Sequence, residues 1–241
     1  MKTSLVIFIV AVAGLVALSS CHKFKKRGNG HITTEERAVT PFTKISIDGL
    51  FPVELSQDGG AELVKVEADQ NLQSMISVKV EGNELIIKTS TDSSISNPSK
   101  MKVYINIRKI NELNFNAVGS MITKGVIKLD SLNVNSESVG KLSLNLDADF
   151  LRANLNSVGS TVLAGKVREV RINNKSVGAL SAFDLKAGTM MIHNTSIGLT
   201  EVYADSAFYI RSSSVGVLYY KGPGQIKELK SEGIGRVQKK D

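Results

Sequence analysis

The sequence has few of the residues from which compact catalytic and metal sites are usually built. Its 241 residues include no Trp, 4 Pro, 3 His and a single Cys. One Cys excludes an internal disulfide and a Cys-rich zinc site. Because His22 and His31 lie near the N-terminus and His193 stands alone, no His cluster or Cys–His dyad is available. We therefore expect no catalytic residue, no metal and no cofactor.

The N-terminus has the pattern of an export signal. Lys2 precedes an apolar run at residues 5–18, which is shorter than the roughly 20 residues needed to span a bilayer and is typical of a signal peptide. The run ends in Leu-Ser-Ser-Cys at residues 18–21, which resembles a bacterial lipobox. Residues 1–20 are therefore predicted to be a lipoprotein signal peptide, and Cys21 to be lipidated and to hold the chain on the membrane. An ordinary secretory signal with an incidental Cys is the alternative.

Residues 21–30 are basic and are predicted to be a flexible tether. They contain four Lys and Arg residues, no acid, and a terminal Gly-Asn-Gly, and their charge suits an anionic lipid surface. Five of the 30 Lys and Arg residues precede residue 31 and no acid does, so residues 31–241 carry only +2. The sequence pI of about 9.4 therefore does not indicate a nucleic-acid partner. The expected location is the cell envelope, as an outer-membrane lipoprotein on a side that the sequence leaves open.

The second half of the chain repeats Ser-Val-Gly, or a close variant, every 18 to 21 residues. Apolar residues recur one, six and, in most repeats, eight positions before the glycine, and two positions after it. Apolar residues spaced by two indicate strands, and a glycine permits a corner because it adopts positive φ without strain. A strand is therefore predicted on each side of every Ser-Val-Gly. The seven glycines are Gly119, Gly140, Gly159, Gly178, Gly198, Gly216 and Gly235.

This repeat predicts an all-β fold, a parallel β-helix (β-solenoid) with coils of about 19 residues over residues 111–241. The apolar columns are expected to stack into one continuous core. A leucine-rich repeat, loosely echoed by Leu129, Leu132 and Val134, is the alternative. It is disfavoured because such repeats need a convex segment where this chain has a second strand-like stretch.

Residues 31–110 alternate as strands do but lack the repeat. Hairpin-like turns are predicted at 57–60 and 81–84, a short helical turn at 71–76, and a loop at 90–100. We expect this region to be the irregular N-terminal cap of the same solenoid. A small separate β domain is the alternative.

One polar column is the candidate binding surface. It lies five positions before the glycines, with the opposite alternation to the column at six, and so should face outward. It consists of Asn114, Asn135, Asn154, Asn173, His193, Arg211 and Lys230. The asparagines suit a ladder of amide hydrogen bonds between coils. The same column could instead be a surface stripe that meets an acidic envelope glycan or a protein partner.

Asp147, Asp184 and Asp205 are the candidate carboxylates for an enzyme on this scaffold. They follow their glycines by six or seven positions, and polysaccharide-cleaving enzymes need acidic residues that converge across coils. The column is interrupted by residues of other types, so a role in the turns is favoured.

Several short sequence motifs together resemble those of one known family. They are Gly-Asn-Gly at 28–30, the segment 36–47, the segment 81–87 and the repeated Ser-Val-Gly, and the resemblance covers about residues 30–237. The family is the GIN-domain family (DUF2807), which is described as autotransporter adhesin head domains and occurs mainly in Bacteroidetes lipoproteins. The resemblance implies a β-helix-like fold in the cell envelope and supplies no catalytic residues.

These observations lead to one expected function and two alternatives. The expectation is a non-enzymatic, lipid-anchored envelope protein with adhesin-like binding or scaffolding activity. The alternatives are a polysaccharide lyase or glycosidase on a β-helix scaffold, and an accessory protein of envelope assembly or stress.

Overall fold

The computed structural model describes residues 25–90 and 94–241. The predicted signal peptide and Cys21 lie outside these ranges. No helix in the described ranges is long and apolar enough to cross a membrane. The described chain is nearly all β, and its core runs as one cluster of buried apolar side chains from Phe42 to Leu218.

The N-terminal region contains nine short strands and one 3₁₀ helix. They are β1 (Lys25–Arg27), β2 (Ile32–Arg37), β3 (Lys44–Gly49), β4 (Val53–Ser56), β5 (Leu63–Asp69), the 3₁₀ helix (Gln70–Met75), β6 (Ile76–Glu81), β7 (Glu84–Thr89), β8 (Ser94–Ser96) and β9 (Met101–Asn106).

The repeat region contains longer strands that wind into coils. They are β10 (Glu112–Lys124), β11 (Ile127–Ser136), β12 (Val139–Leu155), β13 (Val158–Asn174), β14 (Val177–Asn194), β15 (Ile197–Ser212), β16 (Val215–Lys221), β17 (Gln225–Ser231) and β18 (Arg236–Lys239).

Successive coils pair in parallel and in register, which confirms the predicted β-solenoid. Gly140 pairs with Gly159, and Gly159 with Gly178, so the glycines lie in one file. The strand count per coil differs from the prediction. From β12 to β15 each coil holds one long bent strand, which starts at the Val or Ile of the repeat and runs through the glycine. The break falls instead at the two residues before it, such as Asn156 and Ser157.

The corner requires glycine for two reasons, a positive φ and the close approach of two coils. Gly159 has a φ of 134°, and a Cβ there would overlap the carbonyl oxygen of Gly140. The same holds for Gly178 over Gly159. An L side chain would be strained by the φ and would collide with the neighbouring backbone, so the corner requires glycine.

Three of the four apolar columns form the core as predicted. In one coil Leu151 and Ala153 are fully buried, and in the next Val170, Ile172 and Leu180 are. Each coil thus covers the apolar side chains of its neighbour.

The fourth apolar column, one position before the glycine, is not in the core, which corrects the prediction. Its side chains are about half exposed in six coils: Val118, Val139, Val158, Val177, Ile197 and Val215. The reason is alternation, because residues two, four and six positions before the glycine face inward and the intervening ones face outward. The serine two positions before the glycine therefore points into the corner.

The inward serines and asparagines satisfy one another across coils. The Ser136 and Ser157 hydroxyls lie 3.0 Å apart, and those of Ser138 and Ser157 lie 3.2 Å apart. Two coils further on, Asn174 Nδ2 donates to Asn194 Oδ1 at 3.0 Å. Buried polar groups need such partners, and here two columns of small polar side chains, two and four positions before the glycine, supply them.

The N-terminal region stacks on the same solenoid. β3 and β4 pair in parallel with β10, and β7 and β9 pair in parallel with β3 and β4. The far end is then covered by antiparallel strands, β6 on β7 and β5 on β9, with β2 on β5. The sheet therefore changes from parallel to antiparallel where the stack begins.

One of the two predicted hairpins is correct. β6 and β7 form a tight hairpin, with Glu81 opposite Glu84. The predicted hairpin at 57–60 is wrong, because β9 lies between β4 and β5 and pairs with both. The predicted helical turn is present as the 3₁₀ helix, and the predicted loop at 90–100 contains the short strand β8.

Residues 25–30 are held against the cap, which corrects the expectation of a flexible tether for this part of 21–30. β1 pairs with β8. The buried carboxylate of Asp69 accepts hydrogen bonds from the backbone N–H of Gly30 and of Ser99, each at 2.7 Å. A Cβ at Gly28 would lie 2.6 Å from the Asp69 carboxylate, so the segment packs closely there.

Candidate functional site

All seven residues of the predicted stripe lie in one column on the outer face of the solenoid. They pair in register from coil to coil, and none is in the core. From the N-terminal side they are Asn114, Asn135, Asn154, Asn173, His193, Arg211 and Lys230. In-register stacking places the members about 4.8 Å apart, so the column is a straight polar line along the rod.

The first three asparagines form the amide ladder. Asn135 Nδ2 donates to Asn114 Oδ1 at 2.8 Å, and Asn154 Nδ2 donates to Asn135 Oδ1 at 2.9 Å. The ladder continues below through Asn114 Nδ2, which donates to Ser46 Oγ at 3.2 Å. The side chain of Asn173 breaks it, because its buried Oδ1 has no hydrogen-bond partner among the described residues. The hydrogen-bonded ladder therefore ends at Asn154.

A shallow groove of about 440 Å³ begins where the ladder ends. Its walls are the stripe column and the column two positions earlier, which shares the same face. The lining residues are Arg152, Asn154, Arg171, Ile172, Asn173, Met191, Ile192, His193, Tyr209, Arg211 and Glu228. We call this surface the stripe groove.

The two cations that the sequence singled out are both engaged by one acid. Arg211 donates to Glu228 at 2.7 and 3.2 Å, and Lys230 Nζ lies 3.7 Å from the same carboxylate. The hydrogen bond from Arg211 lowers the pKa of Glu228, against the opposing effect of burial. Glu228 therefore stays ionised, and the end of the stripe near Lys230 is partly neutralised.

Two arginines outside the predicted stripe, Arg152 and Arg171, add positive charge to the groove. Arg152 and Arg171 pair in register, and their guanidinium carbons lie 5.9 and 5.5 Å from the Phe150 ring centroid. Arg171 also bonds Glu169 at 2.7 Å, whereas no described carboxylate pairs with Arg152. The signal was present in the sequence, since both lie two positions before stripe residues and so face the same way.

The aspartates weighed for an enzyme do not form one column. Asp147 pairs in register with Lys166, which in turn pairs with Lys186. The register shifts next to Asp184 and Asp205 because bulges interrupt the pairing of β14 and β15. Among the described residues, no three His, Cys, Asp or Glu side chains gather as a metal site would require.

A second groove, of about 710 Å³, lies over the cap and is lined by three acids, Glu54, Asp58 and Glu67. Glu54 accepts from Lys102 Nζ at 2.6 Å, and Glu67 accepts from the Tyr104 hydroxyl at 2.8 Å. The hydrogen bond to Glu54 raises the pKa of Lys102, and the hydrogen bond to Glu67 raises that of Tyr104. Both donors therefore hold their protons, and neither is set up as a general base.

Solved structures of other bacterial proteins share this fold. A structure from Bacteroides fragilis that is named as an adhesin is 23% identical to this chain. Its TM-score is 0.84, and the match covers 89% of this chain and all of that one. A structure from Parabacteroides distasonis that is named as a lipid-binding protein is 22% identical to this chain. Its TM-score is 0.69, and the match covers 90% of this chain and all of that one. At these identities they show the shared fold alone. No curated protein matches this chain.

A family model matches residues 41–224, most of the solenoid including part of its cap. Its description is "Putative auto-transporter adhesin, head GIN domain". The matched region contains six of the seven glycine corners and most of the stripe. The chain therefore belongs to the DUF2807 family of GIN-domain adhesin heads.

Proposed function

We propose that this chain is a non-enzymatic, lipid-anchored adhesin-like protein of the cell envelope that binds an acidic glycan in the stripe groove. The observation that carries the proposal is the pairing of Arg152 and Arg171 beside Phe150 on an outward face. Planar guanidinium groups suit carboxylate and sulfate groups, and the Phe150 ring lies within 6 Å of both guanidinium carbons.

The chemistry of the groove favours an acidic polymer over a neutral one. Arg152, Arg171 and Arg211 face it together with the single acid Glu228, so the lining has an excess of positive charge.

The repeated coils allow several weak contacts with one polymer to add up to a higher affinity. Its outward side chains repeat at a spacing of about 4.8 Å on a rigid stack, so one polymer can contact several coils at once. No moving part is required. Adhesin-named relatives with this fold support a binding role, and the paired state of Lys102, Tyr104 and their acids supports a non-enzymatic one.

The test is binding of the chain from residue 22 onward, which keeps every described residue, to immobilised polygalacturonate. Dextran, a neutral polymer, is the comparison ligand. We expect binding to polygalacturonate that falls about tenfold in the Arg152→Ala, Arg171→Ala double variant, as two charge-assisted contacts imply. Arg168→Ala is the matched control, because Arg168 is exposed and lies outside the stripe groove. Equal binding to both polymers, or no loss in the double variant, would refute the proposal.

The proposed anchor has its own test. We expect Cys21→Ser to abolish incorporation of labelled palmitate, because the acylated residue is then missing. Incorporation of labelled palmitate into this variant would show that Cys21 is not the acylated residue.

A further inference from the structure

The two ends of the solenoid are built differently. At the N-terminal end, antiparallel β2, β5 and β6 and the 3₁₀ helix cover the stack. At the C-terminal end, β17 and β18 pair with the coil below, and no described strand pairs on their other side. Side chains that continue the core there are exposed, with Ile226 at 40% and Leu229 at 46%, although Ile210 beneath Leu229 is fully buried.

The backbone of β17 offers a free edge. Glu232 N–H donates to Ser212 O at 2.8 Å, toward the coil below. Since the backbone groups of successive residues point to alternate sides of a strand, those of Lys230 also face the stack. Leu229 and Ser231 then direct their N–H and C=O groups away from it, and such an edge is a template for another strand.

We propose that this edge binds a second copy of the chain, with the two β17 strands antiparallel and centred on Leu229. An antiparallel pair must place outward-bonding residues opposite one another, which leaves few registers near the middle of β17. A register centred on Glu228 would place the two Glu228 side chains opposite each other, and one centred on Lys230 would do the same for the two lysines. Like charges directly opposite are destabilising. Centring on Leu229 sets Glu228 opposite Lys230 twice and brings the two exposed Leu229 side chains together.

The charges around β17 fit this register. Glu228 and Lys230 lie on the outer face, where Glu228 already contacts Arg211 of the coil below at 2.7 Å. A second copy would extend this alternation of acid and base across the dimer. β18 differs, because it contains Arg236 and Lys239 and no acid, an excess of positive charge that would repel a copy of itself. The pairing is therefore confined to β17.

The dimer has a consequence for adhesion that rests on the proposed lipid anchor. Residues 25–30 dock on the cap, about ten strand spacings from β18, or roughly 48 Å. Joining two C-terminal ends points the two caps in opposite directions. Two anchored copies would thus sit in facing membranes, and the contact would hold cells together by like-to-like binding.

The experiment is sedimentation equilibrium of the chain from residue 22 onward, without glycan or lipid. We expect a concentration-dependent dimer whose dissociation constant rises about tenfold in Glu228→Lys and in Lys230→Glu, since each change makes two facing pairs repulsive. An equimolar mixture of the two variants should recover the wild-type dissociation constant, as should the double exchange in one chain. Lys141→Glu, on a distant coil, is the control and should change nothing.

Recovery in the mixture is the decisive readout, because damage to one chain's fold would not be repaired by a second damaged chain. A monomer at all concentrations overturns the proposal. So does a dimer that neither charge reversal weakens, or one that both weaken without recovery in the mixture. Failure of glycan binding or of lipidation would leave this result untouched, so the two proposals are tested separately.

Discussion

The regular coils and the N-terminal cap form one core by different means. From β12 to β16 every neighbour is parallel, and apart from bulges in the pairs β13–β14 and β14–β15 the positions around the glycine corner lie in register one coil away. The cap uses antiparallel pairs, a 3₁₀ helix and contacts without periodicity, such as Asp69 with Gly30 and Ser99. The difference shows that a repeat can propagate a stack but cannot end one, because ending it requires side chains that no other coil has.

The largest expected effect is on a feature that only the regular coils possess, the glycine corner. Gly159→Ala places a Cβ against the Gly140 carbonyl oxygen at a φ of 134°. Backbone strain of this kind contributes about 1–3 kcal/mol, and the clash between coils adds to it, so we expect the free energy of unfolding to fall by about 3 kcal/mol or more. Chemical denaturation measures it.

The matched control for this corner lies in the cap. Gly59 also has a positive φ, 82°, but a Cβ there would meet nothing within 4 Å. Gly59→Ala should therefore lower the free energy of unfolding by only about 1 kcal/mol. Equal losses in the two variants would mean that the close approach of coils does not matter.

The second effect compares the interior of the stack with its open end. Leu151 is fully buried, whereas Leu229, in an equally apolar column, is 46% exposed. We expect Leu151→Ala to lower the free energy of unfolding by about 3 kcal/mol and Leu229→Ala by less than about 1 kcal/mol. Thermal unfolding of dilute protein compares them, and a large loss at Leu229 would show that the end coil is better covered than its exposure indicates.

The repeat region could be predicted from the sequence more completely than the cap. The glycine spacing predicted the solenoid because equivalent positions must stack, and alternation placed Asn135 and Asn154 outward. The same alternation places Val139 and Val158 on the outside, although their apolar character favours the core. The contact of Asp69 with Gly30 leaves no periodic signal, because it joins segments far apart in the chain, so the sequence did not predict it.

The third effect tests the cap through Asp69. Burial opposes ionisation of this carboxylate, but hydrogen bonds from the backbone N–H of Gly30, Ser99 and Lys100 outweigh it and lower its pKa. A lowered folded pKa means that the ionised form stabilises the fold above the ordinary range of an aspartate, and that this contribution is lost as the pH falls through the folded pKa.

We therefore expect Asp69→Asn to speed amide hydrogen exchange at Gly30 and Ser99 by at least about tenfold at pH 7, because the charged acceptor is gone. The difference from the wild type should shrink only below the ordinary range of an aspartate, as the pH falls through the lowered folded pKa of Asp69 and the wild-type carboxylate loses its charge. Exchange in coils β13 to β15 should not change. A loss of protection there as well would show that the cap and the coils unfold together.

The smallest expected effect concerns the outward valines, which no part of the described chain covers. Val158 is 54% exposed and Val170, in the same coil, is fully buried. Val158→Thr should change the free energy of unfolding by less than about 0.5 kcal/mol, whereas Val170→Thr buries a hydroxyl and should lower it by about 1–3 kcal/mol. Both are measured by denaturation. A loss at Val158 as large as that at Val170 would mean that stacking of neighbouring valines along the outer corner supports the coils, and alternation alone would then not explain why the column is apolar.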